Sequence, residues 1–396
     1  MKIFEIAFWI FLSIVFYTYI GYGILLYFLV KIKEFFSKPK QVLLPPYSEL
    51  PDVTILIAAY NEEDMIKEKM SNTLLLDYPF EKLKIIWVTD GCTDGTNRIL
   101  SEYINVDIVY FPERGGKTAA IKRAMPFVST PLVIFTDANT MLNSEAVKEI
   151  VKAFSESVVG CVAGEKRIAS KGRDSASSGG EGIYWKYESA LKGLDSRLCT
   201  AVGAAGELFA IRRELFETIE NDTLLDDFVQ SMLIVKKGYK TEYCRSAYAI
   251  EEGSYNMNEE KKRKVRIAAG GVQAVWRLRG LLNPFKYPLV LFQYLSHRVL
   301  RWTVTPVLLI ALLPVNLFLM VAGSARIYTV LFILQVLFYI LAFIGILVEN
   351  KKIRNSFIFI PHYFLFMNIN VFRGFIYLLR KSKGDGTWEK AKRVPK

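Results

Sequence analysis

Four short runs of β-prone apolar residues, each cut off by a polar tip, leave this chain few folds to adopt. Val53 to Ala59 runs into Tyr60-Asn61-Glu62-Glu63, and LKIIWVTDG (83–91) ends on Asp90. VDIVYFPERGGK (106–117) leads to Lys117, and PLVIFTDANT (131–140) stops in Thr-Asp-Ala-Asn. Helical runs at 65–76, 95–104, 117–128 and 143–156 alternate with them. Strands alternating with helices predict an α/β domain, a parallel sheet with helices on both faces. Ligands of such sheets bind beyond the carboxyl ends of the strands. Tyr60, Asn61, Asp90 and Asp137 are therefore expected along one edge.

The fourth run carries the most specific chemistry. Asp137 and Asn139 alternate along the strand tip, so both can turn toward one hard cation. Mg²⁺ takes oxygen ligands and completes its shell with waters or substrate phosphates. In isolation, Asp-Ala-Asn would be an ordinary Asx turn; three other polar tips on the same edge favour a site.

The rest of the chain divides by charge. Residues 3–30 are almost uncharged and long enough to cross a bilayer, which needs about 20 apolar residues. The run is too long for a signal-peptide core, so 1–40 reads as a retained anchor. Lys31, Lys33, Lys38 and Lys40 follow it, placing what comes next in the cytoplasm. A short linker with Pro45 and Pro46 leads into the globular part, 51–258. There GCVAGEKRI (160–168) reads as a strand and the Gly/Ser-rich 171–182 as a loop. IYWKYESALKGLDSRL (183–198) reads as an amphipathic helix, and 200–216 as small residues running into another. Residues 259–302 are basic and amphipathic, suited to a headgroup plane. Two apolar runs within 303–348, parted only by Ser324, Ala325 and Arg326, predict a transmembrane hairpin with Arg298, Arg301, Lys351, Lys352 and Arg354 at its cytoplasmic ends. The run 356–379 holds Pro361, His362, Asn368, Asn370 and Arg373 and precedes a basic tail to 396, which predicts an interfacial or re-entrant helix.

Net charge is +12. A basic chain invites a nucleic-acid reading, but much of this charge flanks apolar segments, so nucleic acid is not expected as a partner. Cys92, Cys161, Cys199 and Cys244 form no C-x-x-C pair, which suits a reducing cytosol. The only histidines, His297 and His362, lie on the membrane side. A proton acceptor in the globular part is therefore expected to be a carboxylate. Asp226 and Asp227 open a helix at 223–240; they serve as caps or as a base, since adjacent acids raise one another's pKa. GGKT (115–118) is not a phosphate loop, because Phe111 stands where its first glycine belongs. Lys117 at a helix start can still meet a phosphate. DGCTDG (90–95) lacks calcium ligands at Cys92 and Ser101. Arg263 and Arg266 share a helix face and could grip a diphosphate or a membrane surface.

In order, VTILIAAYNEE, TDG, GGKT, TDAN, GAAGELFAIRR and LLDDF resemble the motifs of membrane-bound family-2 glycosyltransferases, the group of the poly-N-acetylglucosamine, hyaluronan, chitin and cellulose synthases. The likeness spans 51 to about 280. It implies a GT-A fold, a Rossmann-like mixed sheet with flanking helices. It also implies a nucleotide-sugar donor (usually UDP-linked), Mg²⁺ or Mn²⁺, and inversion at the anomeric carbon. Ala59, Tyr60, Asn61, Glu62 and Asp90 would hold the nucleoside, and Lys117, Arg263 and Arg266 the diphosphate. Asp137 and Asn139 would ligate the metal, Gly206 and Glu207 would line the acceptor side, and Asp227, beside Asp226, would act as base. Two departures stand out. Asn139 replaces a second acid, and the Q-x-x-R-W signature of processive synthases is altered, with Arg263 for Gln and Ile267 for Trp. These favour transfer of one or a few sugars to a lipid-linked or membrane-proximal acceptor over processive synthesis, at the cell membrane with the catalytic domain cytoplasmic. A catalytically inactive sugar-binding subunit is the competing class; the retained Asp90, Asp137 and Asp227 count against it.

Overall fold

The computed structural model describes residues 1–37, 43–169, 176–252, 257–347 and 356–380. Expectations that rest on Lys38, Lys40, Lys351, Lys352, Arg354, residues 171–175 and the tail beyond 380 lie outside the described residues.

The chain begins with α1 (Lys2–Phe16) and α2 (Tyr22–Phe36), joined by a π-helical turn at Tyr17–Gly21. Together they form one rod of 35 residues. At 1.5 Å per residue it is about 50 Å long, well beyond the ~30 Å hydrocarbon core of a bilayer. Its C-terminal end is fastened to the globular part. Arg197 donates twice to Glu34, at 2.7 and 2.6 Å, and Lys33 donates to the carbonyls of Arg197 and Leu198.

The globular part follows as β1 (Val53–Ala59), α3 (Glu63–Leu74), β2 (Leu83–Asp90), α4 (Thr96–Leu100), β3 (Asp107–Phe111) and α5 (Lys117–Ala124). Next come β4 (Leu132–Asp137), β5 (Met141–Leu142), α6 (Ala146–Ala153), β6 (Val159–Ile168) and α7 (Ala176–Leu198). β7 (Leu208–Arg212), α8 (Asp226–Lys236), β8 (Lys240–Glu251) and α9 (Met257–Arg277) complete it. One sheet runs in the order β3-β2-β1-β4-β7-β6-β8-β5. Its first four strands are parallel, as alternation with helices predicts, while β7 pairs antiparallel with both β4 and β6. The sheet is therefore mixed. Successive residues of β1 pack into opposite cores: Ile55 and Ile57 with Trp87 and Ile134 on one face, Leu56 with Val88 and Phe135 on the other. Burial on both faces explains why these strands read as unbroken apolar runs. Strand order reverses at β1, whose neighbours are β2 and β4, so a crevice opens where Tyr60 and Asp137 emerge.

Two sequence expectations are corrected. Residues 208–212 form a central strand, not a helix; a fully buried strand is a continuous apolar run that periodicity cannot tell from a helical one. The Gly/Ser-rich 176–182 is helical, forming the start of α7, although glycine has a low helix propensity.

After α9 come α10 (Pro288–Tyr294) and α11 (Leu300–Trp302), linked by a π-helical turn, then α12 (Val304–Val321), α13 (Arg326–Leu347) and α14 (Ser356–Arg380). Among the described residues three helices are long and apolar enough to cross a membrane: the α1–α2 rod, α12 and α13. The fourth apolar run, α14, lies close against α9. A Cβ at Gly374 would come within 2.7 Å of Ala268 Cβ and of the Ala269 amide nitrogen.

A buried polar cluster joins the rod, α7 and the 288–302 segment. Asp195 accepts from the Tyr22 hydroxyl and from Gln293, and pairs with His297 Nδ1 at 2.5 Å. Glu188 accepts from Arg298, lies 3.5 Å from Arg301 Nη1 and 3.4 Å from His297 Nε2. Burial opposes ionisation of Glu188, yet Arg298, His297 and Arg301 hold it well below the ordinary carboxylate range. The 288–302 segment is therefore sewn into the protein interior along part of its length.

Candidate active site

The polar strand tips meet over one cavity of about 1700 Å³. Of the residues singled out in the sequence, Ala59, Tyr60, Glu62, Asp90, Lys117, Asp137, Asn139, Gly206, Glu207, Asp226, Asp227, Arg263 and Arg266 all line it. Asn61 does not. It sits just past β1 with φ +54°, a conformation Asn tolerates better than most residues, and its Oδ1 accepts from the Thr93 amide at 2.8 Å. It braces the turn that follows β2.

Asp90 is largely committed to the protein. It accepts from the Gly115 amide at 3.0 Å, the Gly116 amide at 2.7 Å and the Arg123 guanidinium. Gly116, at φ +86°, turns its backbone toward Asp90 and starts α5 at Lys117. The lysine thus emerges at a helix N-terminus, as predicted, and donates to Asp137 Oδ1 at 2.5 Å. Arg114 from the same loop stacks on Tyr60, its guanidinium 3.7 Å from the ring centroid.

The opposite wall is the 204–207 loop before β7 and the N-terminus of α8. A Cβ at Gly206 would stand 3.1 Å from Lys117 Nζ and 3.4 Å from Asp227 Oδ2, so the glycine keeps a gap between the two. Asp226 and Asp227 open α8, where amide dipoles favour anions. Burial, then the neighbouring Asp226, nevertheless push Asp227 up to about 7, against the opposing pull of Lys117. Burial likewise raises Asp137, with Lys117 opposing. Burial alone would lower Lys117, but Asp137, Asp226 and Asp227 hold its ammonium above the ordinary value. A carboxylate poised near neutrality beside a fixed cation has the properties of a general base.

Arg263 is not free to serve a diphosphate alone. It lies 3.3 Å from Glu207 and 3.6 Å from Glu251, and Lys166 bonds the same two acids. Glu207 is consequently held below its ordinary value, burial being outweighed by Lys166 and Arg263. Asn139 joins this cluster by donating to Glu251 at 3.2 Å. Lys166 and Glu251 were not anticipated: a strand's alternation marks which face a residue takes, not what waits on it. Nor was Lys69, on α3. The sequence EDMIKEKMSNTL gives it the look of a solvated position, yet it is fully buried beneath the Asp137 turn. Burial pushes its ammonium down to about 7, with Asp137 opposing.

Tyr19, Trp302, Arg301 and the α14 residues Phe359, Tyr363 and Met367 also line the cavity. Polar groups therefore come from the strand tips and from α9, while α14 adds aromatic and apolar ones.

A mixed sheet with helices on both faces and its polar strand tips over one cavity is the arrangement of the GT-A fold. The model of "Glycosyl transferase family 2" matches residues 54–220, so the globular part carries a family-2 glycosyltransferase domain, and the chain is related to polysaccharide synthases. It is 26% identical over 308 residues to a poly-beta-1,6-N-acetyl-D-glucosamine synthase of Staphylococcus aureus (strain MSSA476), covering 74% of this chain and 71% of that one. It is 27% identical over 208 residues to a beta-monoglucosyldiacylglycerol synthase of Nostoc sp., covering 48% and 43%. Among solved structures it resembles the mannosyltransferase PcManGT from Pyrobaculum calidifontis, in complex with GDP-Man and Mn²⁺. That likeness has a TM-score of 0.68 at 22% identity and covers 94% of this chain and 99% of that one. A likeness of that extent takes in the apolar helices as well as the catalytic domain.

Proposed function

We propose that the protein is an inverting glycosyltransferase that moves a sugar from a nucleotide-diphosphate donor, UDP-linked, to a lipid-linked acceptor at the cytoplasmic membrane face. The observation that carries this reading is Asp227: a base poised near neutral pH, close to Lys117 and Gly206, in a cavity whose far end is walled by apolar helices.

Tyr60 and Arg114 offer a stacked surface at the nucleoside end. Lys117 at the α5 N-terminus faces the diphosphate, with Arg266 across the cavity. Asp227 takes the proton of the acceptor hydroxyl as its oxygen attacks the anomeric carbon. The bond from that carbon to the diphosphate oxygen breaks, the electron pair leaves with the diphosphate, and configuration inverts. Fixed cations at the leaving group stabilise the charge that gathers there without reorganising.

A divalent cation suits the residues present. Among the described residues no group of three or more His, Cys, Asp or Glu surrounds a cation position. The donors are oxygens, and buried Asp226 Oδ2 has no hydrogen-bond partner. This set fits a hard cation, Mg²⁺ or Mn²⁺, that draws its remaining ligands from a diphosphate. Asp137 would hold it with the Asn139 side-chain oxygen beside it, and when bound it would offset charge on the leaving group.

Two features support a lipid-linked acceptor. The α14 wall brings Phe359, Tyr363, Phe364 and Met367 into the catalytic cavity itself. A second, apolar groove of about 530 Å³ between α12, α13 and α14 shares Asn368 with that cavity. Membranes containing the protein, given radiolabelled UDP-sugars with Mg²⁺ or Mn²⁺, should place label in the lipid extract. Label confined to insoluble polymer would favour processive synthesis. No transfer across a panel of nucleotide sugars would favour an inactive sugar-binding subunit.

A further inference from the structure

A buried ammonium is costly, and proteins normally pair it with a carboxylate. Lys69 departs from that rule. It is fully buried on α3, and among the described residues no carboxylate lies within ion-pair distance of it. Its ammonium donates to the Thr140 carbonyl at 2.6 Å and to Thr136 Oγ1 at 3.1 Å. These residues bracket the Asp137-Ala138-Asn139 turn. The Thr140 hydroxyl lies 3.0 Å from Thr136 Oγ1 and 3.0 Å from the Asp137 carbonyl, closing the turn on itself.

The direction of the hydrogen bonds extends the arrangement across the cavity. Lysine has donors only. By occupying a lone pair of Thr136 Oγ1, it turns that hydroxyl's own hydrogen outward. The hydroxyl then donates to the Glu207 carbonyl at 3.0 Å. Glu207 belongs to the loop that carries Gly206 beside Asp227. One buried cation therefore sets two loops: the strand tip bearing Asp137 and the loop facing Asp227. A methionine would fill the same space without the burial cost, so packing does not account for a lysine at this place.

We propose that Lys69 is a positioning residue that locks the Asp137–Thr140 turn to the Gly206–Glu207 loop, fixing the spacing between the donor side and the acceptor side of the site. The assignment of those two sides rests on the proposed function; the lock itself does not.

The test uses the full-length protein in detergent with Lys69→Met, Thr136→Val and the double variant. Hydrogen exchange should rise together at 137–140 and 206–208 in each single variant, with β1 and β2 unchanged. Affinity for UDP with Mn²⁺ should fall about tenfold in each. The double variant should lose no more than either single one, because residues acting through one chain of bonds are not additive. Exchange that stays at wild-type values, or rises evenly over the domain, would overturn the lock. So would losses that simply add. If Lys69→Met fails to fold, Thr136→Val still breaks the connection and scores it. Should the wild type bind no nucleotide, the proposed function falls, while the exchange pattern still decides the role of Lys69.

Discussion

At the scale of single residues, the proposed mechanism makes the protonation of Asp227 decisive. A base must be deprotonated to accept the acceptor's proton, and Asp227 is pushed up to about 7. Below that value kcat/KM should fall about tenfold per pH unit, and above it reach a plateau; a profile flat from pH 5 to 8 would contradict this. The same shift carries a stability cost with a definite sign. The native carboxyl keeps its proton up to about 7, whereas the unfolded one releases it near 3.8. Between those values the native state binds more protons, so this group's contribution to stability declines as pH rises through that window. Asp227→Asn should therefore raise Tm at pH 8 and leave it nearly unchanged at about pH 4, as read by thermal unfolding in detergent. Asp137→Ala, in contrast, should weaken UDP binding in the presence of Mn²⁺ by about tenfold or more, with little effect in its absence.

At the scale of elements, the presentation of α8 depends on Gly203. It has φ +89°, and a Cβ there would lie 2.1 Å from the Phe228 ring. Gly203→Ala should destabilise the fold by about 1–3 kcal/mol and tilt the start of α8, costing activity as well as Tm. The buried cluster under the rod is equally sensitive. Glu188→Gln leaves Arg298 without a charged partner, and breaking such a buried pair costs about 3–5 kcal/mol, visible as a lower Tm in detergent. Much of the parallel half of the sheet was legible, because β1, β2 and β4 are apolar runs ended by abrupt polar tips. The helix starts at Lys117 and Asp226 were legible from glycines and paired acids. What escaped was set by distant contacts. β7 was hidden by its burial on both faces, the first turns of α7 (176–182) by their glycines, and Lys69 by a helix whose composition looks solvated. The engagement of Arg263 by Glu207 and Glu251 could not be read from the RKVR spacing, which shows a shared face and not the partners on it.

At the scale of the whole molecule, the account requires the cavity to open on the side of the membrane where nucleotide sugars are made. The α12–α13 hairpin then turns on the opposite side, at Ala322–Ala325. In a variant with its native cysteines replaced, Ser324→Cys should react with a membrane-impermeant maleimide on intact cells. A cysteine restored at the half-buried position 92 should react only after the membrane is opened. The reverse pattern would invert the topology. The central claim, however, is that Asp227 removes the acceptor's proton in a site assembled from the strand tips. The most direct measurement compares wild type and Asp227→Asn for UDP binding and for sugar transfer in the same membranes. The account predicts UDP affinity within about twofold and transfer reduced by about a thousandfold. Transfer at wild-type rates by the folded Asp227→Asn protein would contradict it.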